Sequence, residues 1–477
     1  MRAHILMARL LVVLFPSMVV AGEAPPVFSW TGFYAGVSGG LGGGEAPIRM
    51  DLATGGVVIA RDRFSDRSTG VLLGGQIGFN YQFANRFVAG LEADWSWAHI
   101  DGRRKAVINH VAPPRVEVND AFARTEHLGT LRARFGYASG RFLPFFTAGL
   151  AWGGLRQSFN IADTTGYAAT GGGSALRMGW TVGAGLEYAL GNALSFRTEY
   201  LFVQLPGFGV TVRDTAGFVN PTSLGRSSGH LVRVGLNYRF GADGGVADGA
   251  APFAPTWSGV HLGLNGGYGG SRLSGGADGY NPANVLFQRQ QASTRAGGLF
   301  AGGQVGYDMR LADRIILGVE TDLQLSDLRS RSTTSHIPLF LGASTRQVVT
   351  THLEYFGTAR ARIGYAVGQA LPYLTGGFAY GGWKAESSLA QSTGYRSFGA
   401  ADKIAAGWTL GAGLEYALSP SLSVKAEYLR LNLGGFGLTI NGNNGNRWPG
   451  SSNRSNVDIL RAGLNWRFDG APVVARY

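Results

Sequence analysis

The segment Phe87–Ala98 reads FVAGLEADWSWA and alternates between two chemically different faces. Large apolar residues such as Leu91 and Trp95 fall on one face, and Glu92 and Asp94 fall on the other. A period of two residues is that of a β-strand, whose successive side chains point to opposite sides. A strand with one apolar face and one charged face predicts a position between lipid and a polar interior.

Eight segments of this kind occur in the first half of the chain, and eight counterparts occur in the second half, from Ser258 to Phe468. Those of the first half span residues 31–41, 70–82, 87–98, 125–137, 143–153, 179–190, 193–203 and 230–240. Their lengths suit tilted transmembrane strands of about 9–11 residues better than ordinary strands of about 5–6. Short links such as Phe83–Arg86 alternate with long connections such as Gly42–Thr69, which we expect to be loops. Short turns on one side and long loops on the other are typical of outer-membrane barrels.

The chain contains this module twice. Gly179–Leu190 reads GWTVGAGLEYAL, and Gly407–Leu418 reads GWTLGAGLEYAL at an offset of 228 residues. Solenoid repeats are only about 20–50 residues long, so each copy is expected to be a complete domain. The sequence therefore predicts an all-β fold of two tandem eight-stranded antiparallel transmembrane β-barrels. The alternative is one 16-stranded barrel with an aqueous channel.

We predict a signal peptide at 1–24, barrel copy 1 at 25–240, an Ala/Gly/Pro-rich linker at 241–256 and barrel copy 2 at 257–477. The first 24 residues combine a basic start with the apolar stretch Leu10–Val20, which is too short to cross a bilayer as a helix. The alternative is a disordered or membrane-anchoring N-terminus. Pro252 and Pro255 cannot donate to a β-ladder, which favours a linker between two barrels over a continuous barrel.

The composition suits an exported barrel. Gly accounts for 76 of 477 residues, aromatic residues for 12% and charged residues for only 15%, whereas an ordinary domain has about 25% charged residues. No stretch approaches 18 consecutive apolar residues, which excludes a helical membrane protein. Cysteine is absent, so disulfides cannot stabilise the fold. The net charge of +12 favours anionic lipid headgroups, and the lack of a clustered basic motif argues against nucleic acid.

Charged residues on the polar strand faces recur with the same sign in both copies. The sixteen residues are Glu92, Asp94, Arg132, Arg134, Glu187, Arg197, Glu199, Arg233, Glu320, Asp322, Arg360, Arg362, Glu415, Lys425, Glu427 and Arg461. We expect Glu187 to face Arg197 and Glu199 to reach Arg233. An eight-stranded barrel has room only for side chains, and buried charges persist there when they are paired. The pattern therefore favours a structural plug over its alternative, an ion-selective pore lined by charge.

Aromatic residues lie toward the strand ends, among them Trp30, Tyr34, Trp95 and Trp97. In a barrel such residues form girdles at the two lipid interfaces. The alternative is packing in the core of a soluble sandwich. Alternation, strand length and predicted export together favour the girdles.

Binding and catalytic motifs are scarce. No Ser, His and carboxylate trio stands out, so we predict no enzyme, no cofactor and no metal site, with a lipid-modifying barrel enzyme as a lesser alternative. Basic residues of the long connections are predicted to contact lipopolysaccharide phosphates. They are Arg103, Arg104, Lys105, Arg329 and Arg331. The alternative is a solvated loop.

Taken together, five motifs resemble the opacity-type outer-membrane β-barrel proteins, especially the RopB-like immunogenic porin-family proteins of Gram-negative bacteria. They are WTGFYAGVSGG at Trp30–Gly40, the Glu-x-Asp strand at Glu92, LGTLRARFGYA at Leu128–Ala138, GWTVGAGLEYAL at Gly179–Leu190 and VRVGLNYRF at Val232–Phe240. This resemblance implies an integral protein of the cell outer membrane with a structural and surface-antigen role, inserted by the barrel assembly machinery. It also implies a terminal aromatic assembly signal, for which both Phe468 and Tyr477 are candidates. It fixes neither a conducted solute nor an oligomeric state.

Overall fold

The computed structural model describes residues 28–54, 57–111, 114–215, 219–241, 255–338 and 343–468. The predicted signal peptide, residues 1–24, lies outside the described residues. So does most of the predicted linker, residues 242–254, and the chain beyond Phe468. The described residues contain no helix long and apolar enough to cross a membrane.

The described chain is built from β-strands. Copy 1 contributes β1 (Gly32–Thr54), β2 (Val57–Gln82), β3 (Phe87–His110), β4 (Arg115–Tyr137), β5 (Phe142–Asp163), β6 (Ala168–Ala189), β7 (Leu194–Leu205), β8 (Gly209–Asp214), β9 (Val219–Leu224) and β10 (Ser227–Arg239). Copy 2 contributes β11 (Gly259–Tyr280), β12 (Leu286–Arg310), β13 (Ile315–Pro338), β14 (Thr345–Tyr365), β15 (Ala370–Gln391), β16 (Arg396–Ala417), β17 (Leu422–Leu433), β18 (Gly437–Gly442), β19 (Arg447–Ser452) and β20 (Ser455–Arg467).

Each copy closes into its own ring of eight antiparallel strands on the side of the short turns. In copy 1, consecutive strands pair from β1 to β7, β7 pairs with β10, and β10 returns to β1. In copy 2, consecutive strands pair from β11 to β17, β17 pairs with β20, and β20 returns to β11. The predicted pair of eight-stranded barrels is confirmed.

The alternating apolar face lies on the outside of both barrels, as predicted. Leu73, Ile77, Leu91 and Trp97 are each more than 60% exposed in the isolated chain. A continuous belt of such side chains is what a barrel presents to lipid.

The girdle prediction is wrong for two aromatic residues, because both point into the barrel. Tyr34 follows the outward Phe33 in β1, so alternation turns its ring inward, where its hydroxyl donates to Glu92 Oε2 at 2.6 Å. Trp30 precedes the strand and closes the lumen at the short-turn end with Val88 and Leu143.

The prediction that Gly42–Thr69 is a loop is also wrong, because β1 and β2 continue as a hairpin from Gly32 opposite Asn80 to Thr54 opposite Val57. The alternation continues there, but apolar side chains now face inward and charged side chains face outward. Ile48 and Met50 point inward and are buried, whereas Arg49 and Asp51 lie outside, with Arg49 Nε 3.0 Å from Asp51 Oδ1. An apolar inner face with a charged outer face is typical of a strand whose outer side faces water, so these strand ends are expected to lie beyond the lipid.

These strand extensions form a shared structure that we call the crown. It comprises residues 45–54, 57–68, 102–110, 115–125, 155–163, 168–175, 209–214 and 219–224 of copy 1 and residues 271–280, 286–296, 330–338, 345–353, 383–391, 396–403, 437–442 and 447–452 of copy 2. The β2–β3 ladder ends at Thr69 opposite Asp101, and the β12–β13 ladder ends in the same way at Gly297 opposite Arg329.

Beyond these points β2 pairs with β13 over residues 60–65 and 333–338, and β3 pairs with β12 over residues 105–110 and 288–293. We call these two ladders the seam. Through the seam the strand ends of both copies join into one ring of sixteen segments. Its order is β1, β2, β13, β14, β15, β16, β18, β19, β11, β12, β3, β4, β5, β6, β8 and β9.

Candidate functional site

The charged side chains predicted for copy 1 converge in the barrel interior and form a layer across it. All eight are at most 4% exposed. They are Glu92 and Asp94 on β3, Arg132 and Arg134 on β4, Glu187 on β6, Arg197 and Glu199 on β7, and Arg233 on β10. Four carboxylates therefore meet four guanidinium groups, and we call this set the charge layer of copy 1.

Arg132 is the centre of this layer. Its guanidinium donates to Asp94 Oδ2 at 2.8 Å and Glu199 Oε1 at 2.5 Å, and it also contacts Glu92. Arg233 completes the group, with Nη2 2.5 Å from Glu199 Oε2 and 3.2 Å from Asp94 Oδ2. The structure thus brings Glu199 and Arg233 together, as expected from the sequence.

Glu187 and Arg197 lie opposite each other in the β6–β7 ladder, as expected, but the two side chains pair with other partners. Arg197 turns to Glu92 and to Glu199 Oε2, the latter at 2.7 Å. Glu187 instead accepts hydrogen bonds from Arg134, from Ser195 Oγ at 2.5 Å and from Asn237 Nδ2 at 2.8 Å. In a barrel this narrow, contacts across the lumen compete with contacts between neighbouring strands.

Copy 2 carries the corresponding charge layer, again with every predicted member at most 4% exposed. Its members are Glu320, Asp322, Arg360, Arg362, Glu415, Lys425, Glu427 and Arg461. Arg360 Nη1 lies 2.8 Å from Glu427 Oε1, and Arg461 Nε lies 2.6 Å from Glu427 Oε2. Lys425 takes the place of Arg197 and donates to both carboxylate oxygens of Glu320 at 2.9 Å.

The sequence reasoning missed three further members of the charge layer of copy 2. They are Asp308, Arg467 and His261. Asp308 Oδ1 accepts a hydrogen bond from Arg362 Nε at 2.7 Å, and its Oδ2 lies 3.0 Å from Arg467 Nη1 and 3.3 Å from His261 Nδ1. Copy 1 has the neutral Asn80 where copy 2 has Asp308. A search restricted to charges that recur in both copies cannot find this residue, although it lies on the polar face of β12.

Two glycines receive the aromatic rings that support the charge layers. The Tyr373 hydroxyl donates to Glu427 Oε1 at 3.0 Å, and a Cβ at Gly413 would overlap that hydroxyl. In copy 1 the ring of Phe145 lies over Gly185 in the same way. The Arg134 guanidinium lies 3.7 Å from the centre of the Phe145 ring, in cation–π contact.

Apolar layers cover the charge layers above and below. In copy 1 the short-turn end holds Trp30, Val88, Ala138, Leu143 and Ala189. The crown side holds Leu72, Ala98, Ile100, Leu128, Ala151, Leu155, Leu201, Val203, Leu205 and Leu231. Copy 2 repeats both layers around Trp257 and around Trp383. A cavity between Ile100, Leu128 and Leu231 measures about 40 Å³, room for about three water molecules.

The basic residues predicted to contact lipopolysaccharide lie in or beside the crown, in different settings. Lys105 and Arg331 are exposed, and Arg103 is paired with Asp120. Arg104 instead crosses to copy 2, where its Nη1 lies 2.6 Å from Thr334 Oγ1. Arg329 Nε lies 3.5 Å from Asp327 Oδ1, beside the seam. Among the described residues no His, Cys, Asp or Glu cluster could hold a metal ion.

Comparison with known proteins assigns each half of the chain to the same family. Residues 10–240 and residues 244–468 match the profile of the outer membrane protein beta-barrel domain. Over 224 residues the chain is 35% identical to the 31 kDa outer-membrane immunogenic protein of Brucella melitensis, covering 46% of this chain and 88% of that protein. Over 227 residues it is 29% identical to the 25 kDa outer-membrane immunogenic protein of Brucella abortus, covering 47% and 86%. The 22 kDa outer membrane protein of Rhizobium leguminosarum is 31% identical over 186 residues, covering 38% and 68%.

Proposed function

The chain belongs to the outer membrane protein beta-barrel domain family and is a protein of the cell outer membrane, and we propose that it acts there as a structural, surface-displayed pair of closed barrels. In this proposal the charge layers plug both lumens, and the crown is the part presented outside the cell. No catalytic step is proposed, and insertion would depend on the barrel assembly machinery, as for other barrels of this type.

The observation that carries the plug proposal is the pairing of charges in copy 1. Its four carboxylates face four guanidinium groups, and apolar side chains cover them on both sides. Breaking one buried ion pair costs about 3–5 kcal/mol, because the remaining partner is left charged and desolvated. A solute would have to break several such pairs to pass, so the closed lumen favours a structural role over transport.

The proposal of surface display is supported by the crown and by the names of relatives. Two relatives are called outer-membrane immunogenic proteins, and each matches the length of one barrel copy. The crown carries charged residues on its outer face, including Arg49, Lys105 and Arg331. In barrels of this class the long connections face the cell exterior and the short turns face the periplasm.

A single 16-stranded porin is the second candidate, and the ring of sixteen segments in the crown is the observation in its favour. That ring does not extend through the membrane belt, because the strands divide into two rings of eight below Thr69 and Gly297. The crown would then be a vestibule above two closed barrels. We therefore prefer the closed pair.

Conductance separates the two candidates. The full-length chain, folded so that it shows heat-modifiable migration on a gel, is inserted into planar bilayers beside a general porin as the positive control. We expect no steady conductance of the nanosiemens class from this chain. Steady channels of that class would refute the plug and establish the porin.

Surface display is tested with single cysteines, since the chain has none of its own. Lys105→Cys lies in the crown and Asn85→Cys in a short turn, and both positions are exposed. A maleimide that cannot cross the outer membrane should label Lys105→Cys in intact cells and label Asn85→Cys only after lysis. Labelling of Asn85→Cys in intact cells would contradict the proposed orientation.

Contact with lipopolysaccharide is a further part of the proposal, carried by the exposed Lys105 and Arg331. We expect Lys105→Ser with Arg331→Ser to increase sensitivity of the cells to chelator and detergent, because two cations facing anionic headgroups are lost. Ser388→Thr, at another exposed crown position, is the control. Unchanged sensitivity would remove this part of the proposal.

The lesser alternative, a lipid-modifying enzyme, predicts an altered mass of lipid A on overexpression.

A further inference from the structure

The seam continues the ladder of each barrel without any change of register. Inside copy 1 the β2–β3 ladder ends at Thr69 opposite Asp101, so its continuation would place Ser65 opposite Lys105. The structure places Ser65 opposite Thr333, which is the counterpart of Lys105 at the repeat offset of 228. It also places Lys105 opposite Ser293, the counterpart of Ser65. Each strand has therefore kept its register and exchanged its neighbour for that of the other copy.

Residues near the seam and at the short-turn end also meet their own counterparts. Thr69 corresponds to Gly297, and a Cβ at Gly297 would lie 3.2 Å from Thr69 Cβ. Tyr188 corresponds to Tyr416, and their ring centres are 6.1 Å apart at the short-turn end. Contacts between equivalent residues are the mark of a twofold interface, in which both partners use the same surface.

Backbone pairing alone does not choose between the exchanged seam and two self-closed barrels. Both arrangements have the same register, and register fixes which backbone groups meet and which side chains point inward. The choice must therefore rest on side chains that differ between the copies.

The first such contact joins Asp62 to His336. Asp62 Oδ1 lies 2.6 Å from His336 Nδ1 across the β2–β13 ladder. If each barrel closed on itself, Asp62 would stand opposite Ile108 and His336 opposite Gln290, as the repeat offset shows. Exchange gives the acid a basic partner that its own copy lacks at this position.

The second contact joins Arg295 of copy 2 to Asp101 of copy 1. Arg295 Nη2 lies 2.7 Å from both carboxylate oxygens of Asp101, and the two side chains are only 19% and 5% exposed. The counterpart of Asp101 in copy 2 is Arg329. Self-closure of copy 2 would bring Arg295 toward Arg329, and like charges this close repel each other. Exchange, however, brings Arg67, the counterpart of Arg295, toward Arg329 instead of toward Asp101. Each arrangement therefore has one favourable and one unfavourable contact, and these four charges do not choose between them.

From these observations we infer that the seam is a strand-exchange surface whose partner is the other copy of the module. The acid Asp62 in copy 1 and the base His336 in copy 2 favour this pairing. Two copies of the second barrel would oppose Arg295 with Arg329, and two copies of the first would leave Asp62 opposite Ile108. The divergence of the copies thus disfavours self-closure and pairing between like copies, and the covalent connection favours the partner within the same chain.

Two cysteine pairs distinguish the exchanged state from the self-closed state in the full-length chain. Ser65→Cys with Thr333→Cys reports exchange, and Ser65→Cys with Lys105→Cys reports self-closure. Residues directly opposite in an antiparallel ladder have Cα atoms about 4.5–5.5 Å apart, which a disulfide can bridge. The pairs are oxidised in isolated outer membranes. A protease site inserted between residues 242 and 254 is then cut, and the denatured halves are separated on a gel.

We expect Ser65→Cys with Thr333→Cys to hold the cut halves together in most of the heat-modifiable protein. Crosslinking of Ser65→Cys with Lys105→Cys, measured as loss of free thiols in the copy 1 half, should be about two- to fivefold lower, as expected for one partly exposed ion pair that favours exchange. Dominant crosslinking in this second variant, between positions 65 and 105, would overturn the inference. So would crosslinks that mainly join two chains, which run at twice the mass before cutting.

Charge reversal tests the selection itself. Asp62→Asn or His336→Gln should lower the ratio of exchanged to self-closed crosslink by about two- to fivefold, and Asp62→His with His336→Asp should restore it. Asp120→Asn, which removes an acid paired within copy 1, is the matched control. Only chains with heat-modifiable migration are scored. An unchanged ratio in Asp62→Asn, or failure of the paired reversal to restore it, would show that these charges do not select the seam.

Discussion

Lys425 Nζ lies 2.9 Å from both carboxylate oxygens of Glu320, deep in the charge layer of copy 2. In copy 1 the corresponding arginine reaches two carboxylates, because its planar guanidinium has more donors than an ammonium group. The two copies therefore neutralise equivalent buried glutamates, Glu92 and Glu320, with different cations. This difference offers a natural test of what the layer requires.

We predict that Arg197→Lys is tolerated, with a loss of about 1–2 kcal/mol in the free energy of unfolding, because only the bond to Glu199 is lost. Arg197→Met should cost about 3–5 kcal/mol, because it leaves Glu92 buried without that cation. Urea unfolding in detergent micelles measures both. Equal losses for the two variants would show that charge at this position does not matter.

Asp308→Asn places in copy 2 the residue that copy 1 has at the same position. We expect a loss of about 3–5 kcal/mol, because Arg362 and Arg467 lose a buried carboxylate between them. The control is Asp120→Asn, whose partner Arg103 is exposed, and a loss below about 1 kcal/mol is expected there. A stability for Asp308→Asn like that of the control would contradict the role given to Asp308.

Gly413→Val should prevent the Tyr373 ring from reaching Glu427, because the new side chain would occupy the space of the ring. Overpacking of this kind costs about 1–3 kcal/mol. The loss should appear as a lower temperature for the heat-modifiable gel shift. Gly191→Ala is the control, since a Cβ there meets nothing within 4 Å. Similar shifts in both variants would rule out steric overlap as the cause.

The lipid-facing belt can be tested with one outward residue in its middle. Ile77→Arg should destabilise the barrel by about 2–4 kcal/mol, because the charge would face the bilayer core. Ser388→Arg, on the exposed crown, should change stability by less than about 0.5 kcal/mol. Refolding into lipid vesicles followed by urea unfolding measures both. If Ile77→Arg matched the control, residue 77 would not face lipid.

The sequence was sufficient to predict the barrels, because alternation of the kind seen around Glu92 reports directly on two unlike environments. It also indicated which charges lie inside. It could not assign Glu187 to Arg134, since contacts across a lumen depend on the curvature of the closed sheet. The inward position of Tyr34 was missed because aromatic residues occur both in girdles and in barrel interiors. A shift of one residue along an alternating strand decides which of the two faces the ring takes.

The exchanged seam could not have been predicted from the repeat either. Because Thr333 is the counterpart of Lys105, the repeat pattern is the same whether Ser65 pairs with one or the other. Only paired positions that both differ between the copies carry information about the choice, as Asp62 and His336 do. Their effect on the pairing can be seen only when the neighbouring strands of the seam are known.

The even number of strands in each ring has a consequence for how such a chain can arise. A ring of eight antiparallel strands begins and ends on the same side, and here β10 and β11 both reach the side of the short turns. A gene encoding one barrel can therefore be joined head to tail with itself without reversing the orientation of either product. An odd number would have forced the second barrel to insert upside down. Duplication of this module therefore required no change in the direction of either barrel, and the two copies could then diverge while remaining neighbours.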